Sequence, residues 1–198
     1  MTSATGIDWT SEPDLDRLRR ARAMLATKPG PAIIELSALA GRGSIMSMVY
    51  LGEVYANGEI AQLDLEEAEK WYRRAADSGS VRAQYYLGRL YGRLNRFQEA
   101  ERALRCASDF DFHPALHSLG LMYLFGTGVP KDVARSKQLL ARASSLDNVP
   151  ARGALAWILM KHCRGPVAKL KGGWLYISAF LMGITVICTE GWNSDRMH

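Results

Sequence analysis

The sequence predicts an all-α protein, an α/α solenoid of stacked helical hairpins. Three observations predict it. The trio Leu51-Gly52 with Tyr55 recurs as Leu87-Gly88 with Tyr91 and as Leu119-Gly120 with Tyr123, then fades into Leu155-Ala156 with Leu159, at steps of 36, 32 and 36 residues. A second signature follows each trio: Ala68, Ala100, Ser136 and Gly172 head a stretch whose inner alanine is Ala75, Ala107, Ala143 and Ala179, at steps of 32, 36 and 36 residues. Finally, Tyr123 to Asp132 reads as a helix, an elbow and a new helix. Gly126 and Gly128 can take the positive φ that ends a helix, Pro130 cannot continue one, and Asp132 can accept the first free N–H groups of the next. Self-similarity at this period marks a repeat array, in which each hairpin buries its apolar face against its neighbours.

Residues 1–10 read as a lead-in. Ser11-Glu-Pro-Asp14 predicts a helix start, with the serine as cap and the proline in the first turn. That helix runs to about Thr27, with Leu15, Leu18, Ala21 or Arg22, and Leu25 at helical spacing. Lys28-Pro-Gly-Pro31 is expected to stop it. A second helix is expected from Ala32 to about Ala40, closed by Gly41-Arg-Gly43. The first helix of each later hairpin is predicted to start at Ser44, Ser80, His113-Pro114 and Asn148. The short step arises where the elbow shrinks to Gly92-Arg-Leu-Asn95. Leucine and tyrosine four apart share one helix face, and the glycine or alanine beside them leaves room for the next helix.

These residues resemble the Sel-one-like repeat (SLR) family, relatives of the tetratricopeptide repeats. The copy from Tyr50-Leu-Gly-Glu-Val-Tyr55 through Asp64, Ala68, Trp71-Tyr72 and Ala75-Ala76 to Gly79 follows the family pattern closely. The copy with Gly126-Thr-Gly-Val-Pro-Lys-Asp132 has the family's elbow, although Leu139-Leu140 replaces its aromatic pair; the copy between them lacks the glycine-rich elbow. The resemblance implies a right-handed superhelix whose first helices line a concave surface, with a scaffold or adaptor role, and it supplies no catalytic mechanism. The expected organisation is a lead-in and capping helix over 1–31, a repeat solenoid of about four repeats over 32–183 with an N-terminal helical pair, and an apolar then polar tail over 184–198.

Composition excludes little and points the same way. The chain has 198 residues, 48% hydrophobic and 23% charged, with a net charge of +5, enough for a sizeable core. Two basic clusters contribute, Arg17, Arg19, Arg20 and Arg22, then Lys161, Arg164, Lys169 and Lys171. Asp14, Asp16, Glu66, Glu67 and Glu69 are interspersed, so no basic stripe of the nucleic-acid-binding kind forms, and no nucleic-acid partner is expected. Cys106, Cys163 and Cys188 are odd in number and far apart, which fits a reducing compartment and a cytoplasmic location. No basic region followed by an apolar run opens the chain, so no signal peptide is expected.

Residues 172–189 carry no charged side chain. In one reading this is a membrane anchor: 18 residues make a helix of about 27 Å, just enough for a thin bilayer. In the other, the repeat register places Tyr176 where Tyr72 falls, Ala179 where Ala75 falls and Gly183 where Gly79 falls. The segment is then the last repeat's second helix and a short tail, with Trp174, Phe180, Ile184 and Ile187 as its contact residues. A terminal repeat without a polar outer face needs covering, by a partner, lipid, or another copy in an oligomer formed through this end.

No nucleophile elbow, phosphate loop or HExxH is present, so neither a catalytic residue nor a cofactor is expected. His113 and His117 are four apart, but Pro114 intervenes and no third ligand follows, so they are read as surface histidines, with no metal. Trp71-Tyr72 suits packing between hairpins, and Cys106, beside Ala107, is expected to be a core or interfacial thiol. Function in such a stack falls on side chains beside the core stripe. Positions two before and two after each leucine are Val49 and Glu53, Tyr85 and Arg89, His117 and Leu121, Gly153 and Trp157. Glu53, Tyr85, Arg89, His117, Leu121 and Trp157 are the expected partner-binding residues; tyrosine, tryptophan and arginine dominate binding hot spots. The expected function is a non-enzymatic adaptor that binds another protein through the concave groove and the C-terminal segment. An immunity-type protein that neutralises a toxin and a membrane-anchored adaptor are the alternatives.

Overall fold

The computed structural model describes residues 12–162 together with Leu170, Gly173, Trp174 and Ile177. Among the described residues the chain forms nine helices and no strand. They are α1 (Leu15–Met24), α2 (Pro29–Gly41), α3 (Ile45–Asn57), α4 (Leu65–Asp77), α5 (Val81–Arg93), α6 (Phe97–Asp109), α7 (His113–Phe125), α8 (Val133–Ser145) and α9 (Val149–His162). Helices α3, α5, α7 and α9 start at steps of 36, 32 and 36 residues, as the leucine–glycine trios do. The chain is an all-α solenoid of helical hairpins, divided into two units, Met1–Phe112 and His113–His198.

Side-chain caps set most helix starts. Ser44 accepts from the Ser47 N–H, Asp64 from Glu67, Ser80 from Ala83, Asp132 from Arg135 and Asn148 from Ala151. The first helix differs from expectation: its cap is Asp14, which accepts from the Arg17 N–H at 3.0 Å. Pro29 and Pro31 also open α2 instead of lying in a break before it, because first-turn residues have no intrahelical N–H bond to lose.

Two recurring backbone bonds explain the repeated tyrosines and alanines. The residue that opens each second helix donates its N–H to the tyrosine carbonyl of the first: Asp64 to Tyr55 (3.0 Å), Arg96 to Tyr91 (2.9 Å) and Asp132 to Tyr123 (2.8 Å). The residue before each next hairpin donates to the inner alanine: Ser80 to Ala75, Phe112 to Ala107 and Asn148 to Ala143. Those alanines are fully buried, with Ala68, Ala100 and Ser136 beside them.

The elbows need left-handed backbone. Gly58 and Gly126 supply it in the first and third hairpins, and Asn95, at φ +58°, supplies it in the glycine-poor second. Asparagine tolerates this region better than most residues. The core of the first unit gathers Leu18, Ala21, Leu36, Leu39, Val49, Leu51 and Ala75. That of the second gathers Leu116, Leu124, Leu140, Ala143, Leu155 and Ile158.

Candidate functional site

In the first unit, α3 contacts both α1 and α5, and the three present side chains to a shared face. Glu53 and Arg89 line one depression of about 280 Å³ there with Asn57, Tyr72, Tyr86 and Arg93. Tyr85 lies beside it. Its ring meets Tyr86 at 5.4 Å and Phe112 edge-on at 5.4 Å, with the Arg89 guanidinium 5.8 Å from its centroid. Tyr86 in turn stacks on Tyr72 at 5.3 Å and an interplanar angle of 12°. The structure therefore brings Glu53, Tyr85 and Arg89 into one neighbourhood. Val49, predicted to share their face, is instead wholly buried.

Burial raises the hydroxyl pKa of Tyr72 and of Tyr86 above the ordinary tyrosine value, and the Glu53 carboxylate adds to both shifts. These rings are neutral donors at physiological pH. A second depression, of about 320 Å³, is lined by Leu15, Leu18, Arg19, Arg22 and Tyr50. The Arg22 guanidinium sits 5.1 Å from the centroid of the Tyr50 ring. Sequence reasoning missed Arg22, Tyr50, Arg82, Tyr86 and Arg93. The signal was present on α5, where Arg82, Tyr86, Arg89 and Arg93 fall at spacings of 4, 3 and 4 residues and so share a side of the helix.

In the second unit the predicted residues separate. His117 is half-buried, and desolvation holds its pKa below the ordinary histidine value. Leu121 packs against the core cluster around Leu116 and Leu140. Trp157 is partly exposed, 6.4 Å from Phe125, with the Lys161 ammonium 4.8 Å from its ring centroid. His113 opens α7, and its Nδ1 lies 2.9 Å from Asn148 Nδ2. Among the described residues no cluster of His, Cys, Asp and Glu is placed to hold a metal. Cys106 is exposed, one position off the alanine stripe, which removes the core alternative from its reading as a core or interfacial thiol. Trp71 packs against the first unit's core and Tyr72 is buried.

Trp174 is exposed, while Phe180, Ile184 and Ile187 lie outside the described residues. No helix among the described residues is long and apolar enough to cross a membrane.

A family model described as the Sel1 repeat matches residues 45–80, 81–108 and 113–148. The chain belongs to the Sel1 repeat family. Each match begins at the first residue of α3, α5 or α7, so the family's repeat unit and the structural hairpin coincide. Such repeats generally mediate protein–protein interaction. Over 113 residues the chain is 29% identical to mouse DAP3-binding cell death enhancer 1 and 26% identical to its rat counterpart, covering 55% of this chain. It spans only 22% of the length of those curated relatives. Among solved structures it resembles a Sel1 repeat protein from Oxalobacter formigenes, with a TM-score of 0.74 at 22% identity over 89% of this chain and 76% of that one. It also resembles a protective antigen of uropathogenic Escherichia coli that displays an SLR fold. There the TM-score is 0.66 at 24% identity, over 77% of this chain and 33% of that one. At these identities the likeness concerns the fold.

Proposed function

We propose that this Sel1 repeat protein is a non-enzymatic adaptor that binds another protein through the face carrying Glu53, Tyr85 and Arg89. Trp157 and the C-terminal segment supply further contacts. The observation that carries the reading is the Tyr72–Tyr86–Tyr85–Phe112 chain of rings with Arg89 over its edge. Rigid aromatic rings next to arginine give large contact area at low ordering cost, the make-up of a hot spot. The mouse relative, named for binding DAP3, is consistent with a protein partner.

The test is affinity capture with the 198-residue chain, followed by measured affinities for Tyr85→Ala, Arg89→Ala and Trp157→Ala. Each is expected to weaken binding of the captured partner at least tenfold while the chain still folds, read as a single cooperative thermal melt. Unchanged affinity in all three removes the face from the function. A truncation after Gly183 measures the contribution of the tail; equal affinity removes it.

A further inference from the structure

The face in the first unit has an uneven charge, and that unevenness points to its ligand. Four arginines stand on it, Arg22, Arg82, Arg89 and Arg93, on helices α1 and α5. Arg89 and Arg93 line the first depression, Arg22 the second. Arg82 shares that side of α5 with Tyr86, Arg89 and Arg93, and its charge bears on the hydroxyls of both Tyr50 and Tyr86. Several arginines elsewhere find carboxylates: Arg17 pairs with Glu35, Arg73 with Glu69, Arg96 with Glu69 and Glu99, and Arg105 with Glu101. Among the described residues none of the four face arginines forms an ion pair.

Their existing contacts leave donors unused. Arg22 and Arg89 rest over tyrosine rings, and Arg93 donates to the Ala56 carbonyl at 2.6 Å. The Nε of Arg82 is buried and has no hydrogen-bond partner. A buried charged donor without an acceptor is costly unless something supplies one. Three other charges are nearby. Glu53 lines the first depression together with Tyr86; Glu12 is held by the Ser44 hydroxyl and the Met46 N–H; Arg19 pairs with Asp16. The face therefore offers several open guanidinium forks around a tyrosine floor, with one carboxylate in their midst.

Building on the adaptor reading above, we infer that this face takes an extended acidic peptide segment of the partner, its Asp or Glu side chains accepting from Arg22, Arg82, Arg89 and Arg93. Arginine's planar fork matches a carboxylate in bidentate fashion. With adjacent helices about 9 Å apart, the face from α1 to α5 is roughly 20 Å wide, the reach of about six extended residues. Glu53 argues against a polyphosphate backbone, which would carry its charge past that carboxylate, whereas a peptide can place an N–H or a polar side chain there.

The probe is a short fluorescein-labelled peptide alternating glutamate and serine, followed by anisotropy, with a lysine–serine peptide as its counterpart. The acidic peptide is expected to bind and the basic one not to. Arg82→Ala with Arg89→Ala is expected to weaken binding at least tenfold. Arg74→Ala with Arg102→Ala removes the same charge elsewhere and should change it less than twofold. Arg89→Glu alone, on an exposed side chain, serves if the double variant melts early. No binding of the acidic peptide, or equal loss in both double variants, overturns the inference. So does tighter binding of a short RNA or of phosphatidylserine vesicles that the same variants abolish. A protein partner lost on Tyr85→Ala but not displaced by the acidic peptide removes this inference and leaves the adaptor reading standing.

Discussion

A Cβ placed on Gly52 would lie 2.4 Å from Cε1 of Tyr72. The first helix of the hairpin touches the second at this point, backbone against ring. The relation repeats with a different partner: a Cβ on Gly88 would lie 2.6 Å from Leu104 Cγ, and one on Gly120 2.9 Å from Leu140 Cγ. Glycine recurs after each leucine because the second helix fills the space its side chain would occupy.

Gly52→Ala is expected to lower stability by about 1–3 kcal/mol, the usual range for overpacking. The Tyr72 ring is buried and stacked on Tyr86, so it has little room to yield. Gly153, in α9, has nothing within 4 Å of its Cβ position. Gly153→Ala should instead add about 0.5–1 kcal/mol through helix propensity. Chemical denaturation of both variants checks the pair; a neutral Gly52→Ala would show that the helices are not in contact there.

Gly79 separates strain from crowding. Its Cβ position is also open, but its φ is +89°. Gly79→Ala is expected to cost about 1–2 kcal/mol from backbone strain alone. Asn95→Gly should be neutral or slightly stabilising, and Asn95→Ala should cost about 1 kcal/mol, since alanine adopts left-handed backbone less readily than asparagine. Thermal melts of the three variants report the ordering.

Acid sensitivity should centre on Glu69. Burial pushes its pKa up, but hydrogen bonds from Arg96, Arg73 and Tyr91 outweigh that and hold it below the ordinary glutamate value. A depressed carboxylate stabilises the fold above its unfolded pKa and loses that contribution as pH falls through the folded value. Glu69→Gln should therefore flatten the decline of melting temperature below about pH 4.5. An unchanged acid limb would assign the decline to other carboxylates.

His117 should act in a higher window. Desolvation lowers its pKa, so as pH falls below about 6.5 the unfolded chain takes up the proton first and stability drops. His117→Gln is expected to remove that component of the drop, read as melting temperature between pH 7 and 5. An NMR titration of the wild-type ring should give a midpoint below that of an exposed histidine.

Leu140 is fully buried in the second unit and packs on Gly120. Leu140→Ala should cost about 2–5 kcal/mol, the range for truncating a buried leucine. Differential scanning calorimetry measures it; a loss below about 1 kcal/mol would mean that the site collapses around the gap.

The sequence by itself determined the hairpin array and its register. Leu51-Gly52, Leu87-Gly88 and Leu119-Gly120 recur because each helix has to present one apolar stripe and one point of close approach, and both are periodic requirements visible in one dimension. The caps Ser44, Ser80, Asp132 and Asn148 were legible for the same local reason. Asp14 in place of Ser11, and Pro29 and Pro31 inside α2, were ambiguous because several residues at those breaks could open a helix.

Tertiary structure decided which off-stripe side chains share a surface. Glu53 and Arg89 meet at one depression, while Val49, at the matching offset, is buried. A fixed offset from leucine cannot allow for the different neighbours each helix acquires. Nor can sequence spacing show that Arg22 lies over Tyr50, 28 residues away, or that the face arginines form no ion pair among the described residues. Charge pairing between helices depends on distances that exist only once the hairpins are stacked.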